Sequence, residues 1–264
     1  IEATRAERHL STVLTWLGAN TAHGGAFVQA VEYNARANER AASSGSSLQL
    51  ADALGGKVFA AMWRGELDVA VTRAKEAVDA AIDAGALMDI GTNYGLLGTA
   101  LAMAGELAQA RQAHERAIER LSGPPLQGHR AEARTRLVKT LVSLGEIPEA
   151  RRQAETSRAE VATQDVYTIA TSTAALAAVC VADGATAEAE RLFRQALDGI
   201  GRSDYVLLRM EMQRDLASFL IDRGRAAEAR TLLEEVRDFF DTPVTPFERQ
   251  RTETLLQRCA AVPR

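Results

Sequence analysis

The side chains that could do chemistry are few and widely spread. The four histidines are His9, His23, His114 and His129. No two of them stand three or four residues apart, so no helical turn pairs them as metal ligands. Cys180 and Cys259 are too distant in sequence to suggest a metal knuckle or a disulfide framework. Cys180 sits at an apolar register position and reads as a small core residue. There is no glycine-rich phosphate loop, dinucleotide fingerprint or nucleophile elbow. Adjacent acids such as Glu234 and Glu235 fall on a charged helix face. These residues predict no catalytic constellation, and no motif calls for a cofactor or a metal.

What positions these residues is a repeat. The glycines Gly25, Gly65, Gly105, Gly145, Gly184 and Gly224 are separated by 40, 40, 40, 39 and 40 residues. Five residues after each stands an alanine: Ala30, Ala70, Ala110, Ala150, Ala189 and Ala229. Seven residues before each stands a second tightly constrained position, occupied by Gly18, Val58, Gly98, Val138, Ala177 and Ala217. A fixed period of this size marks a helical solenoid. The glycine closes a helix and turns the chain, because it accepts positive φ at least steric cost. The alanine is small because the second helix there crosses closely over the first.

The pattern Tyr94-x-x-Leu97-Gly98 followed by a turn, and the pattern Ala189-x-x-x-Phe193-x-x-Ala196, resemble the tetratricopeptide repeat. The resemblance covers nearly the whole chain. It departs in period, about 40 against the 34 of the standard repeat, so the extra residues must lengthen helices or loops. The closing proline of that repeat is mostly missing. Long two-helix repeats of this kind resemble the sensor superhelix of large ATP-dependent bacterial transcription activators and related signalling ATPases. His114 falls where the standard repeat has phenylalanine, which favours a packed histidine over a ligand. The expected fold is all-α: a right-handed α-α superhelix of six two-helix repeats, near 1–45, 46–85, 86–125, 126–164, 165–202 and 203–242, with a capping helix at 245–260.

Local signals fit these bounds. Ser46-x-x-Gln49 is a capping box. Pro124 and Pro125 stop the third repeat, and Pro148 suits the first turn of a helix. The fourth repeat should end near Thr163-Gln164-Asp165, and Ser203 or Asp204 should cap the sixth. Thr245-Pro246-Phe247-Glu248 combines a cap, a proline at the first helical position and a glutamate at the third. The chain opens at Ile1 inside a helical pattern with no polar capping element before the first repeat, and reads as part of a longer protein.

Composition narrows the function. The 264 residues carry a net charge of −4 with the two signs mixed, which gives no electrostatic case for direct nucleic-acid contact. Lysine occurs only at 57, 75 and 139, a bias of composition rather than a site. No apolar run suggests a membrane span or a signal peptide, and a reducing cytoplasm fits the two lone cysteines.

The tetratricopeptide resemblance implies that first helices line a concave groove, so counting back from each turn glycine gives its lining. The candidates for partner binding are Thr12, Thr15 and His23 in repeat one and Phe59, Met62 and Trp63 in repeat two. Repeat three adds Thr92, Thr99 and Met103, repeat four Thr135 and Lys139, and repeat six Arg214. Phe59, Met62, Trp63 and Met103 form an apolar cluster amid small residues and hydroxyls, suited to an apolar side chain of a peptide or partner helix. Equally, Trp63 packs between repeats. The carboxylate clamp of chaperone-binding members would need lysine and asparagine where this chain has Thr15/Ala19, Gly55/Phe59 and Gly95/Thr99, which excludes that use. The expected role is a non-catalytic module recognising a protein or peptide segment, within a larger bacterial regulator. The alternatives are a small-molecule inducer sensor and a scaffold that self-associates through its uncovered first repeat.

Overall fold

A computed structural model describes residues 2–161, 165–201 and 203–261 of the chain. Among the described residues it is all helical. The six pairs are α1 (Glu2–His23) with α2 (Phe27–Ser44), α3 (Ser47–Arg64) with α4 (Leu67–Ala84), α5 (Leu87–Met103) with α6 (Leu107–Arg120), α7 (Gln127–Leu144) with α8 (Ile147–Glu160), α9 (Val166–Ala182) with α10 (Thr186–Ile200), and α11 (Val206–Asp222) with α12 (Ala226–Phe239). A 3-10 turn at Pro124–Leu126 links the third and fourth pairs, and α13 (Pro246–Ala261) ends the chain. The first helices run 17–22 residues and the second helices 14–18, so the residues beyond the standard period lie in the helices. The expected end of repeat four at Thr163-Gln164 lies outside the described residues.

The periodic positions do what their residue types imply. All six turn glycines have φ between 75° and 91°. All six marker alanines have no exposed surface. The position seven before the glycine and the position four after the alanine behave as one packing pair. The pairs are Gly18/Asn34, Val58/Ala74, Gly98/His114, Val138/Ala154, Ala177/Phe193 and Ala217/Leu233, and every member is buried. Volume is exchanged across the crossing: glycine faces a large group, valine faces alanine, and alanine faces phenylalanine or leucine. Close packing requires such exchange, since a gap and an overlap are both costly.

Caps follow the sequence in part. The Ser46 hydroxyl accepts from the Gln49 backbone N–H at 3.4 Å, and the Asp165 carboxylate from the Thr168 N–H at 3.2 Å. Helix α11 begins one residue later than expected, at Val206, with no side-chain cap; the Ser203 hydroxyl accepts from the Tyr205 N–H instead.

The largest departure from a simple open solenoid is closure. Helix α13 covers α12 with Leu255 and Leu256, as a terminal element should. It also packs on α3, and α1 reaches α11. One apolar cluster joins Ala22, Phe27, Ala30 and Trp63 of the first two repeats to Met210, Val236 and Phe240 of the last. Phe27 stacks on Phe240 at 5.7 Å and meets Phe239 edge-on at 5.2 Å. The bare turns at Gly25 and Gly65 receive the Phe239 and Phe247 rings: a Cβ at either position would fall 2.5 and 2.9 Å from them. The first helix leaves Val13, Trp16 and Leu17 exposed, with Trp16 at 68%. At the register of Val13 the later repeats bury Ala53, Asn93, Ala133, Ser172 and Met212.

Candidate functional site

Closure divides the concave face into two unlike halves. In the C-terminal half most charged side chains pair with one another, although Arg209 Nε and Gln213 Oε1 of α11 are enclosed without partners. Arg214 and Glu248 form a pair at 2.5 Å with both side chains 9% exposed, and the Arg214 guanidinium lies over the Phe240 ring at 5.7 Å. Glu248 therefore does not serve as the expected capping glutamate of α13. Lys139 pairs with Asp215 at 3.6 Å. Glu132 holds Arg136 at 2.5 Å and accepts from the Tyr167 hydroxyl at 3.2 Å. Burial raises the Glu211 carboxyl above the ordinary carboxylate range, against the pull of Lys139 and Arg214. Burial also raises the Tyr167 phenol, with Glu132 adding to it. Tyr167 and Tyr205 meet His23 from α1 at 6.3 and 5.3 Å between ring centroids. Burial holds His23 below the usual histidine range, and its Nδ1 is enclosed without a partner.

The N-terminal half stays open. Here α1, α3 and Leu207 of α11 enclose a cleft of about 150 Å³. Its lining includes Thr15, Ala19, Ala22 and His23 from α1 and Asp52, Gly55, Phe59 and Trp63 from α3, with Asn34 of α2 behind them. Phe59 is 40% exposed at the mouth, tilted against Trp63 with centroids 6.1 Å apart. Asp52 is pushed up to about 6 by burial and by the Asp89 carboxyl of α5, acting as both charge and hydrogen-bond partner.

The twelve residues read from the sequence separate accordingly. Thr15, His23, Phe59 and Trp63 meet around this cleft. Trp63 lines the cleft and also packs edge-on against Phe27 of the first repeat at 5.0 Å. Thr12 lies half-buried on α1; Thr92, Thr99 and Met103 lie half-buried on α5. Met62 is buried in the core shared with α4 and α5. Thr135 is buried, donating to the Ala131 carbonyl at 3.1 Å beside the Ser157 hydroxyl. Lys139 and Arg214 are engaged in the ion pairs above. Asn34 was not legible as a site residue, because it belongs to a second helix; the signal was available in Gly18 seven residues before its turn, which leaves room for a large partner. His114 is packed: it is 1% exposed and burial pulls it down to about 3, helped by the Arg136 guanidinium.

Among the described residues no group of three or more histidine, cysteine or acidic side chains stands together as a metal site, and no helix is long and apolar enough to cross a membrane.

The fold is that of a tetratricopeptide-like solenoid. A Rap protein solved in complex with competence and sporulation factor superposes with a TM-score of 0.65 at 14% identity, over 95% of this chain and 75% of that one. The apo form of RapI gives 0.61 at 11% identity, over 96% and 97%. PilF of Pseudomonas aeruginosa gives 0.54 at 14%, over 94% and 99%. At these identities the likeness concerns the fold. No protein-family model matches the sequence, and neither does any curated protein.

Proposed function

We propose that the chain is a non-catalytic recognition module that holds a protein or peptide segment against the open, N-terminal half of its concave face. The observation that carries this reading is the asymmetry of that face. Its C-terminal half spends its charges on internal pairs, while α1, α3 and α5 present an exposed aromatic ring, small residues and hydroxyls. Those hydroxyls have a direction. Thr15 donates to the Ser11 carbonyl, Thr92 to Asp89 and Thr99 to Gly95, within their own helices. Each therefore turns acceptor lone pairs outward, matched to a segment that offers N–H donors. A solenoid of the same fold solved with a bound factor, the Rap protein complex, supports the reading. The module belongs to a larger bacterial regulator, as its cytoplasmic sensor or interaction part.

The test is capture of a partner from source lysate by wild type and by Phe59→Ala, Thr99→Arg and an outer-face control, Arg73→Ala. A partner kept by the control and lost by both groove variants is expected. A partner indifferent to both groove variants sinks the reading.

A second reading, an inducer sensor, is favoured by one feature. The cleft touches both α1 and Leu207 of α11, so a small molecule in it bridges the two ends of the closed solenoid. That reading requires a concentration-dependent rise in melting midpoint with the inducer.

A further inference from the structure

We propose that the cleft between α1 and α3 is the subsite for one uncharged side chain of the bound segment, an apolar body ending in a hydrogen-bonding head, as in tyrosine or glutamine. This rests on the recognition reading above and names the chemistry of one position within it.

The walls set the body. Ala19, Ala22, Phe59, Trp63 and Leu207 present carbon, and the volume of about 150 Å³ decides the size. Pockets for drug-sized ligands run to roughly 300–1,000 Å³. This one suits a single side chain.

The floor sets the head. Asn34 is 7% exposed, and among the described residues its carboxamide makes no side-chain hydrogen bond while lining the cleft. Its amide atoms are not among those enclosed without a partner, so the carboxamide keeps contact with the cleft, and a group that fills the cleft can take up its free donor and acceptor. The placement is built: a Cβ at Gly18 or at Gly56 would fall inside the Asn34 carboxamide, so two helices give up side chains to admit it. At the same register the other repeats carry Ala74, His114, Ala154, Phe193 and Leu233. A carboxamide offers one donor group and one acceptor and no charge, which selects a neutral head. The carbon walls disfavour any ion, and Asp52 at the rim opposes a carboxylate.

The test uses three ring probes of one shape: p-cresol, toluene, which lacks the head, and p-toluate, which is charged. Binding is followed by NMR at the Trp63 indole N–H in wild type, Asn34→Ala and Gly55→Leu protein. A Cβ at Gly55 makes only an ordinary contact, with Leu96 at 3.7 Å, so the backbone there admits a side chain, and at this cleft-lining position a leucine takes up cleft volume. Expected is saturable binding of p-cresol, about three- to tenfold tighter than toluene, the range of one net hydrogen bond. That preference disappears in Asn34→Ala, and Gly55→Leu abolishes binding of both. The subsite is overturned by p-toluate binding as well as p-cresol, by a preference that survives Asn34→Ala, or by no saturable shift at Trp63. Should Asn34→Ala fail to fold, Gly55→Leu carries the test: binding undiminished there overturns the assignment. Fragment titration needs no partner, so its failure leaves the groove reading, which is judged by partner capture, standing.

Discussion

The exchange of volume across each helix crossing is the clearest residue-scale property of this chain, and it is testable at Gly98. A Cβ there would lie 2.5 Å from the His114 ring. Gly98→Leu should cost on the order of 1–3 kcal/mol or more by overpacking, and Gly98→Ala a share of that. Gly98→Val combined with His114→Ala rebuilds the pairs found at Val58/Ala74 and Val138/Ala154, and should recover most of the loss. A double-mutant cycle by denaturant unfolding reads the coupling; additive losses would mean that the two positions do not pack as a pair. His114 adds a pH signature. Its folded pKa is depressed to about 3 by burial, so the unfolded chain takes up a proton near pH 6.5 that the folded chain refuses. Stability from this group is present above the unfolded value and falls as pH drops, by about 2 kcal/mol between pH 7 and pH 5. The double variant should lose correspondingly less over that interval. Both members of each pair were visible in the sequence as separate periodic positions. Their coupling was not, because a period reports where a residue recurs and says nothing of what it touches.

At the scale of elements, the helices and their turns were legible because each is specified locally. A glycine ends a helix, Ser46 and Gln49 open one, and Pro124 and Pro125 stop another. The groove lining was legible only by register, and register cannot separate open positions from filled ones. Thr92 and Thr135 occupy comparable faces of α5 and α7, yet Thr135 is sealed against Ser157 and Thr92 is not. Between α3 and α5 the same limit applies to charge. Asp52 and Asp89 lie 37 residues apart, three short of the period, and meet across the helices, where burial and then the Asp89 carboxyl raise Asp52 to about 6. A raised carboxyl stabilises the fold only while protonated: its contribution is full below the unfolded value near 4 and is lost as pH rises through about 6. Asp52→Asn should therefore gain about 1 kcal/mol at pH 7, allowing for solvent screening at a half-buried group, and change little near pH 4. Melting curves at the two pH values decide it. An equal shift at both would mean that Asp52 is not the titrating group.

For the whole molecule, local periodicity fixes the repeats and leaves their closure undetermined. The pitch of a solenoid accumulates from a small rotation per repeat, and whether its two ends meet depends on that sum. Gly25 and Gly65 look like Gly105 and Gly145 in sequence; only the first two hold rings from the far end. Phe239 and Phe247 likewise read as ordinary terminal residues. Closure replaces a chain of nearest-neighbour contacts with a ring, and that changes how the molecule should come apart. In an open array each repeat touches only its neighbours, and cooperativity weakens with length. The cluster of Phe27, Trp63, Val236 and Phe240 ties the first and last repeats together, so fraying at one end costs contacts at both. Phe239→Asp with Phe247→Asp places two carboxylates against the Gly25 and Gly65 turns and should open the ring. The radius of gyration measured by small-angle X-ray scattering should rise, while helical content by circular dichroism stays close to wild type because the internal junctions are untouched. Urea unfolding should broaden, as the terminal repeats become free to fray. An unchanged radius in a folded variant would show that the ends are held together without these two rings, by the rest of the cluster of Phe27, Trp63, Met210 and Phe240.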